Sequence, residues 1–242
     1  MNNYKLIIQY DGTQYAGWQI QNNADTVQKR IVDAVKIITG ENVNLIGSGR
    51  TDAGVHAFGQ VANFKTENDI DLYKFKHSLN AILPNDIAVT ISEKTAEEFH
   101  ARFDARKRSY LYFFSKSKSP FVQKYSHYYH GELNCATLNR LSINFIGQKD
   151  FSSFAKKNTE TVNKVCTVYS AYWKETRGLV IFNIEADRFL HGMVRTIVGT
   201  LLQTVKLGYD FNYLHEIFEA KNRDDAGEAV PAKGLFLYKV KY

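Results

Sequence analysis

Cysteine is scarce in this chain of 242 residues: Cys135 and Cys166 stand 31 positions apart without a CxxC pair. That spacing suits two free thiols in a reducing compartment better than a disulfide framework. Metal-ligand spacing is equally thin. Of seven histidines the one close pair is His127 and His130, an i,i+3 spacing inside an aromatic stretch, so no metal is expected. Long apolar runs are missing, since no stretch approaches the ~18 residues that a membrane span needs. The opening residues MNNYKLIIQYDG lack a basic region followed by an apolar run and a small-residue cleavage site, so no export signal is expected and the cytoplasm is the expected compartment. There is no low-complexity linker and no repeat at the level of letters. What remains is ordinary globular composition, 44% hydrophobic and 23% charged, in a length that suits one large domain or two compact halves.

Charge is mildly one-sided. Lys and Arg number 31 against 25 acids, for a net +6, and the excess is clustered. Arg102, Arg106, Lys107 and Arg108 fall within seven positions, followed by Lys116 and Lys118. A solvated basic face would account for this alone. The cluster is, however, interleaved with aromatics in FHARFDARKRSYLYFF (99–114), and phosphates take cations while unstacked bases take aromatic faces. Nucleic acid is the partner that this pattern favours.

Periodicity and turn signals give a coarse map. YKLIIQY (4–10) reads as a core strand closed by Asp11-Gly12. Asp25 and Gln28 resemble a capping box, after which Val27, Ile31, Ala34 or Val35 and Ile38 recur at helical spacing until Gly40. Residues 42–49 and 55–64 read as strands, 69–83 as a helix and 87–94 as a strand. In the second half 108–115 and 126–133 read as strands, 135–146 as a helix, 164–173 and 179–187 as an antiparallel pair, and 189–205 as a buried helix. The map describes an α+β protein of two similar halves, each an antiparallel sheet with helices packed on one face. The boundary is placed near residue 105, giving halves of 1–104 and 105–242.

Two residues stand out chemically. Residues 47–60 read GSGRTDAGVHAFGQ, in which Asp52 is the one carboxylate and three glycines in the first eight positions (Gly47, Gly49, Gly54) permit a tight turn and close backbone approach. A turn-forming aspartate explains the local pattern as well as a catalytic one does. In FLHGMVRTIVGTLLQTV (189–205) the one fixed charge is Arg195, and a guanidinium in a buried helix needs a carboxylate or phosphate partner. Either a structural ion pair or a pairing with Asp52 would serve.

The segments YDGT and GWQ (10–13, 17–19), GRTDAGVHA with GQV (49–57, 59–61), FHARF (99–103), RSYLY (108–112), DFSSF (150–154), FLHGMVRTIVG (189–199) and PAKGLFL (231–237) resemble the tRNA pseudouridine synthase A family. The resemblance runs in order along nearly the whole chain. It implies isomerisation of uridine to pseudouridine at positions 38, 39 and 40 of the tRNA anticodon stem-loop, without cofactor or metal, by a homodimer with an active-site cleft between the two halves. Residue by residue, it implies that Asp52 is the catalytic aspartate and that Arg50 helps displace the target base. Tyr110 would contact the uridine by stacking or proton relay, and Arg195 would pair with the aspartate. Gly192 and Val230 depart from the residues usual in the family.

These types suit the chemistry. Breaking the C1′–N1 bond needs a nucleophile at C1′ or a base for the C2′ hydrogen, and a carboxylate can be either. A base-paired uridine must be flipped out, and a planar cation such as Arg50 can fill the gap. Recognition of many tRNAs by shape and backbone suits diffuse cations such as Arg102, Arg106, Lys107 and Arg108. Two rivals remain at this stage. The Thr51-Asp52-Ala53-Gly54 turn could be that of an aspartic protease, which needs two carboxylates sharing a proton. A tRNA-binding protein without catalysis would need the cations and not the acid.

Overall fold

A computed structural model describes residues 1–157 and 161–242. In chain order the first elements are β1 (Asn2–Tyr10), α1 (Val27–Thr39), β2 (Ile46–Gly47), β3 (His56–Thr66), α2 (Leu72–Ile82) and β4 (Ile87–Thr95). They are followed by β5 (Lys107–Ser115), β6 (His127–Tyr128), α3 (Cys135–Ser142), β7 (Gly147–Asp150), β8 (Val165–Thr176), β9 (Leu179–Ala186), α4 (Met193–Lys206), α5 (Phe211–Ala220) and β10 (Leu235–Lys241). The chain is α+β, and its contacts divide it into two compact units.

The first unit comprises Met1–Arg106 together with Phe236–Tyr242. Its sheet runs β4, β1, β3, β10, with β2 added to β3. β1 pairs antiparallel with both neighbours, with Leu6 opposite Ala62 on one side and Ser92 on the other. Alternation along β1 sends Tyr4, Leu6, Ile8 and Tyr10 into the core. The α1 residues Val27, Ile31, Ala34 and Val35 bury the facing stripe. Gly40 ends α1 in the left-handed region (φ 76°), as its position predicts. The start of the helix differs from the capping-box reading. Thr26 is the N-cap and accepts from the Lys29 N–H, while Asp25 receives the Nε and Nη2 donors of Arg30. β10 returns to this unit and pairs with β3 in parallel, with Phe236 opposite His56. Its docking is aromatic: Phe236 stacks on His56 at 4.5 Å and on Phe58 at 4.7 Å.

The second unit comprises Lys107–Leu235. Its sheet runs β5, β9, β8, β7, antiparallel throughout, with the two-residue β6 added in parallel to β5. The pairing of β8 with β9 is the antiparallel pair read from the sequence. Strict alternation makes β9 half-buried, with Val180, Phe182, Ile184 and Ala186 inside. α3 packs on β8 and α4 packs on α3. α4 starts at Met193, later than the apolar run suggests, because Gly192 turns left-handed (φ 75°) ahead of it. Most of its residues are buried. A helix that is apolar on nearly every face belongs inside, as its composition requires.

Candidate active site

In the first unit the turn that carries Asp52 lies between β2 and β3, and its surroundings are unusually well held. The hydroxyls of Tyr10 and Thr51 share a buried hydrogen bond of 2.8 Å. The Thr51 carbonyl accepts from the Trp18 N–H at 3.1 Å, and the Gly54 N–H donates to the Tyr15 carbonyl at 3.4 Å. Within the turn the Val55 N–H donates to the Asp52 carbonyl at 3.1 Å. Upstream, Gln60 donates to the Gly49 carbonyl at 2.9 Å and accepts from the Ser48 hydroxyl at 2.7 Å. Both ends of GSGRTDAG are thus tied to the sheet.

The glycines of the YDGT and GWQ segments make this closeness possible. A Cβ on Gly12 would stand 2.0 Å from the Val55 carbonyl oxygen, and one on Gly17, at φ 99°, would stand 2.5 Å from the Thr51 carbonyl oxygen. Trp18, buried beside Tyr10 at 6.1 Å between rings, covers Gly47 so tightly that a Cβ there would meet its indole. The Gly12 N–H donates to His56 Nδ1 at 3.1 Å, which ties the start of β3 to the same segment. Tyr10, Gly12, Gly17, Trp18, Thr51 and Gln60 therefore set the backbone of the turn. Sequence reasoning assigned them no part in the site. The available signal was that a buried threonine hydroxyl beside Asp52 needs a partner.

Asp52 itself is half-buried. Arg50, two residues earlier, is exposed, and its Nε donates to the Gln19 side chain at 3.3 Å. This holds the base of its side chain beside the GWQ segment. Arg102 and Arg106 also belong to this unit and are exposed. The Arg102 guanidinium lies 5.6 Å from the centre of the Phe103 ring. The Arg106 backbone donates to Lys241.

The second unit carries the other candidate residues. Tyr110 sits on β5 opposite Ile184 and is buried, with its ring edge-to-face on Phe189 at 5.1 Å. Arg195 sits on α4, half-buried, and its Nε donates to the Val230 carbonyl at 2.6 Å. The Val230 N–H donates back to the Arg195 carbonyl at 3.2 Å. The tail segment is laced onto the helix nearby: the Gly227 N–H donates to Thr200 Oγ1, and a Cβ on Gly199 would collide with the Glu228 carbonyl. The same tail reaches β5, where the Tyr112 hydroxyl donates to the Pro231 carbonyl at 2.8 Å. Burial pushes the Tyr112 hydroxyl well above the usual phenol range, opposed by the positive charge of Arg195.

Of the basic cluster, Lys107 lies 3.2 Å from Glu185 and 4.2 Å over the Tyr169 ring, and Arg108 donates to the Asp187 carbonyl at 2.7 Å. These two cations have structural partners within the second unit. Cys135 and Cys166 are free thiols, and burial pushes Cys166 up to about 11. Among the described residues no cluster of three or more His, Cys, Asp or Glu could hold a metal ion, and no helix is long and apolar enough to cross a membrane.

Comparison with known proteins gives these features a family. The tRNA pseudouridine synthase family profile matches residues 6–104 and 141–242. The tRNA pseudouridine synthase A of Caldicellulosiruptor saccharolyticus is 41% identical over all of both chains. That of Clostridium kluyveri is also 41% identical over all of both. The tRNA pseudouridine synthase A 1 of Protochlamydia amoebophila is 42% identical over 100% of this chain and 97% of its own. The chain belongs to the tRNA pseudouridine synthase family, isomerases that convert uridine in tRNA to pseudouridine.

Proposed function

We propose that this isomerase acts on uridines 38, 39 and 40 of the anticodon stem-loop, with Asp52 as the reacting carboxylate. The observation that carries the role of Asp52 is the way its side chain is presented. A half-buried carboxylate sits on a turn whose backbone is held by the Tyr10–Thr51 hydrogen bond and the Trp18 N–H, with glycines 12 and 17 against it. An aspartate needed only to shape a turn requires no such fixation, whereas a group that must meet C1′ or the C2′ hydrogen does.

The reaction exchanges one bond for another. C1′–N1 breaks, the uracil turns, C1′ joins C5, the C5 hydrogen leaves and N1 gains a proton. Asp52 serves the first step, as nucleophile at C1′ or as base at C2′. Arg195 is assigned as the cation that keeps Asp52 ionised, and its bond to Val230 fixes the plane of the guanidinium. Tyr110 is assigned to the uridine, stacking on it or relaying the C5 proton. Arg50, exposed and bonded at its Nε to Gln19, is assigned to the gap left by the flipped base. Arg102, Arg106, Lys107 and Arg108 are assigned to the tRNA backbone. The reading also takes the protein as a cytoplasmic homodimer whose halves, 1–104 and 105–242, both contribute to catalysis.

Mapping pseudouridine in tRNA transcripts after incubation with the purified chain tests the reading. Product at positions 38, 39 and 40 supports it. Product elsewhere refutes the choice of arm, and binding without product refutes catalysis. Sedimentation of the active species tests the homodimer.

A further inference from the structure

The aromatic interleaving of residues 99–114 pointed to base stacking, but the fold buries most of those rings. Tyr110, Tyr112 and Phe114 are buried, and Phe99 and Phe113 are half-buried. Phe103 alone among the six is exposed, at 74%. An exposed phenylalanine is ordinary on a mobile loop. This one is on a turn with every backbone donor from His100 to Asp104 bonded. The His100 N–H donates to the Asp104 carboxylate at 2.8 Å, and Ala101 donates to the buried Asn63 side chain at 2.9 Å. The Arg102 and Phe103 N–H groups both donate to His100 Nδ1 at 3.2 Å, and Asp104 donates to the His100 carbonyl at 3.1 Å. The Ala101 carbonyl accepts from the Tyr242 hydroxyl at 2.8 Å. The ring is steadied by His100, 4.3 Å away and tilted by 30°, and carries the Arg102 guanidinium beside it.

A ring pre-set in this way loses little freedom when something lies on it, which is what makes a stacking platform effective. Its neighbours specify what that is. The exposed Arg102 guanidinium lies 5.6 Å from the centre of the ring, and a nucleotide offers both a flat π face and a phosphate to such a pairing of ring and cation. We propose that Phe103 is a stacking platform for an unpaired base of the substrate tRNA, with Arg102 on the adjoining phosphate. The inference rests on tRNA being the substrate and is independent of which positions are modified.

Equilibrium binding of an unmodified tRNA transcript, measured across a salt series, tests it for Phe103→Ala, Phe103→Leu, Phe103→Trp and Arg102→Ala. Loss of a base stack should weaken binding by about 5- to 150-fold in the alanine variant. Its plot of log affinity against log salt should stay parallel to that of the unaltered protein, because no ion is released at a neutral ring. Leucine, apolar but without a π face, should behave like alanine, and tryptophan should restore affinity. Arg102→Ala should instead flatten the salt slope by about one unit. Unchanged affinity in Phe103→Ala, or full affinity in Phe103→Leu, overturns the proposal. So does a changed sedimentation coefficient of Phe103→Ala without RNA, which would place the ring in a protein interface. Melting of each variant confirms that the turn is folded. Mapping product with the unaltered protein keeps a failure of the proposed positions distinct from a failure of this one.

Discussion

Gly12→Ala adds one methyl group 2.0 Å from the Val55 carbonyl oxygen and 2.7 Å from its carbon, where contacts under 3.0 Å essentially do not occur. The two backbones must separate by about 1 Å. Val55 is bonded to Asp52 across the turn, and Gly12 to His56 at the start of β3, so the displacement falls on the segment that aims the carboxylate. Catalytic groups misplaced by about 1 Å lose on the order of 100-fold in rate. Overpacking of this kind costs about 1 to 3 kcal/mol, which lowers the melting temperature by several degrees without unfolding the chain. Single-turnover pseudouridine formation should therefore fall about 100-fold, with tRNA affinity nearly unchanged. Gly40→Ala is the control. Its backbone is costly for alanine (φ 76°), but nothing lies within 4 Å of the added carbon, so it should lose stability and keep its rate. A Gly12→Ala enzyme with the parental rate would refute the argument that the YDGT segment holds Asp52 in place.

Arg195→Leu should lower the rate by at least 100-fold and Arg195→Lys by less, because lysine retains the cation while losing the Nε bond to Val230. Equal rates for the two variants would sink the pairing with Asp52, and melting curves separate this from lost stability. Arg106→Ala should remove about one unit of salt slope in tRNA binding, and Lys107→Ala less, since Lys107 is already held by Glu185 and Tyr169. A larger slope change for Lys107 would mean that it leaves those partners when RNA binds.

Local chemistry made much of this structure legible. β1 and β9 announce themselves as apolar, β-rich runs, and α1 by its stripe and its stop at Gly40. Residues 42–49 look equally strand-like, yet only Ile46–Gly47 joins the ladder. Packing under Trp18 and the side-chain bonds of Ser48 and Gln60 take over from there. Residues 126–133 shrink likewise to His127–Tyr128. The helix read at 135–146 ends at Ser142 and tightens into a 3-10 turn. α5 had a readable signal in the Asp210 cap followed by Phe211, Leu214 and Ile217, which went unread. The parallel pairing of β10 with β3 has no local signature, because the partners are about 180 positions apart. The same holds at the site. Asp52 and Arg195 stand out by chemical contrast with their neighbours, whereas the Tyr10–Thr51 bond joins residues 41 apart whose types are unremarkable in either place.

The account turns on the charge of one side chain. Asp52→Asn keeps the size of the group and its hydrogen-bonding capacity while removing the carboxylate that must attack C1′ or take the C2′ hydrogen. Single-turnover pseudouridine formation on an anticodon-arm uridine, with tRNA binding measured separately at fixed salt, should show turnover at background and affinity close to the parental value. Substantial product from the asparagine enzyme would contradict the account and leave Asp52 a turn former.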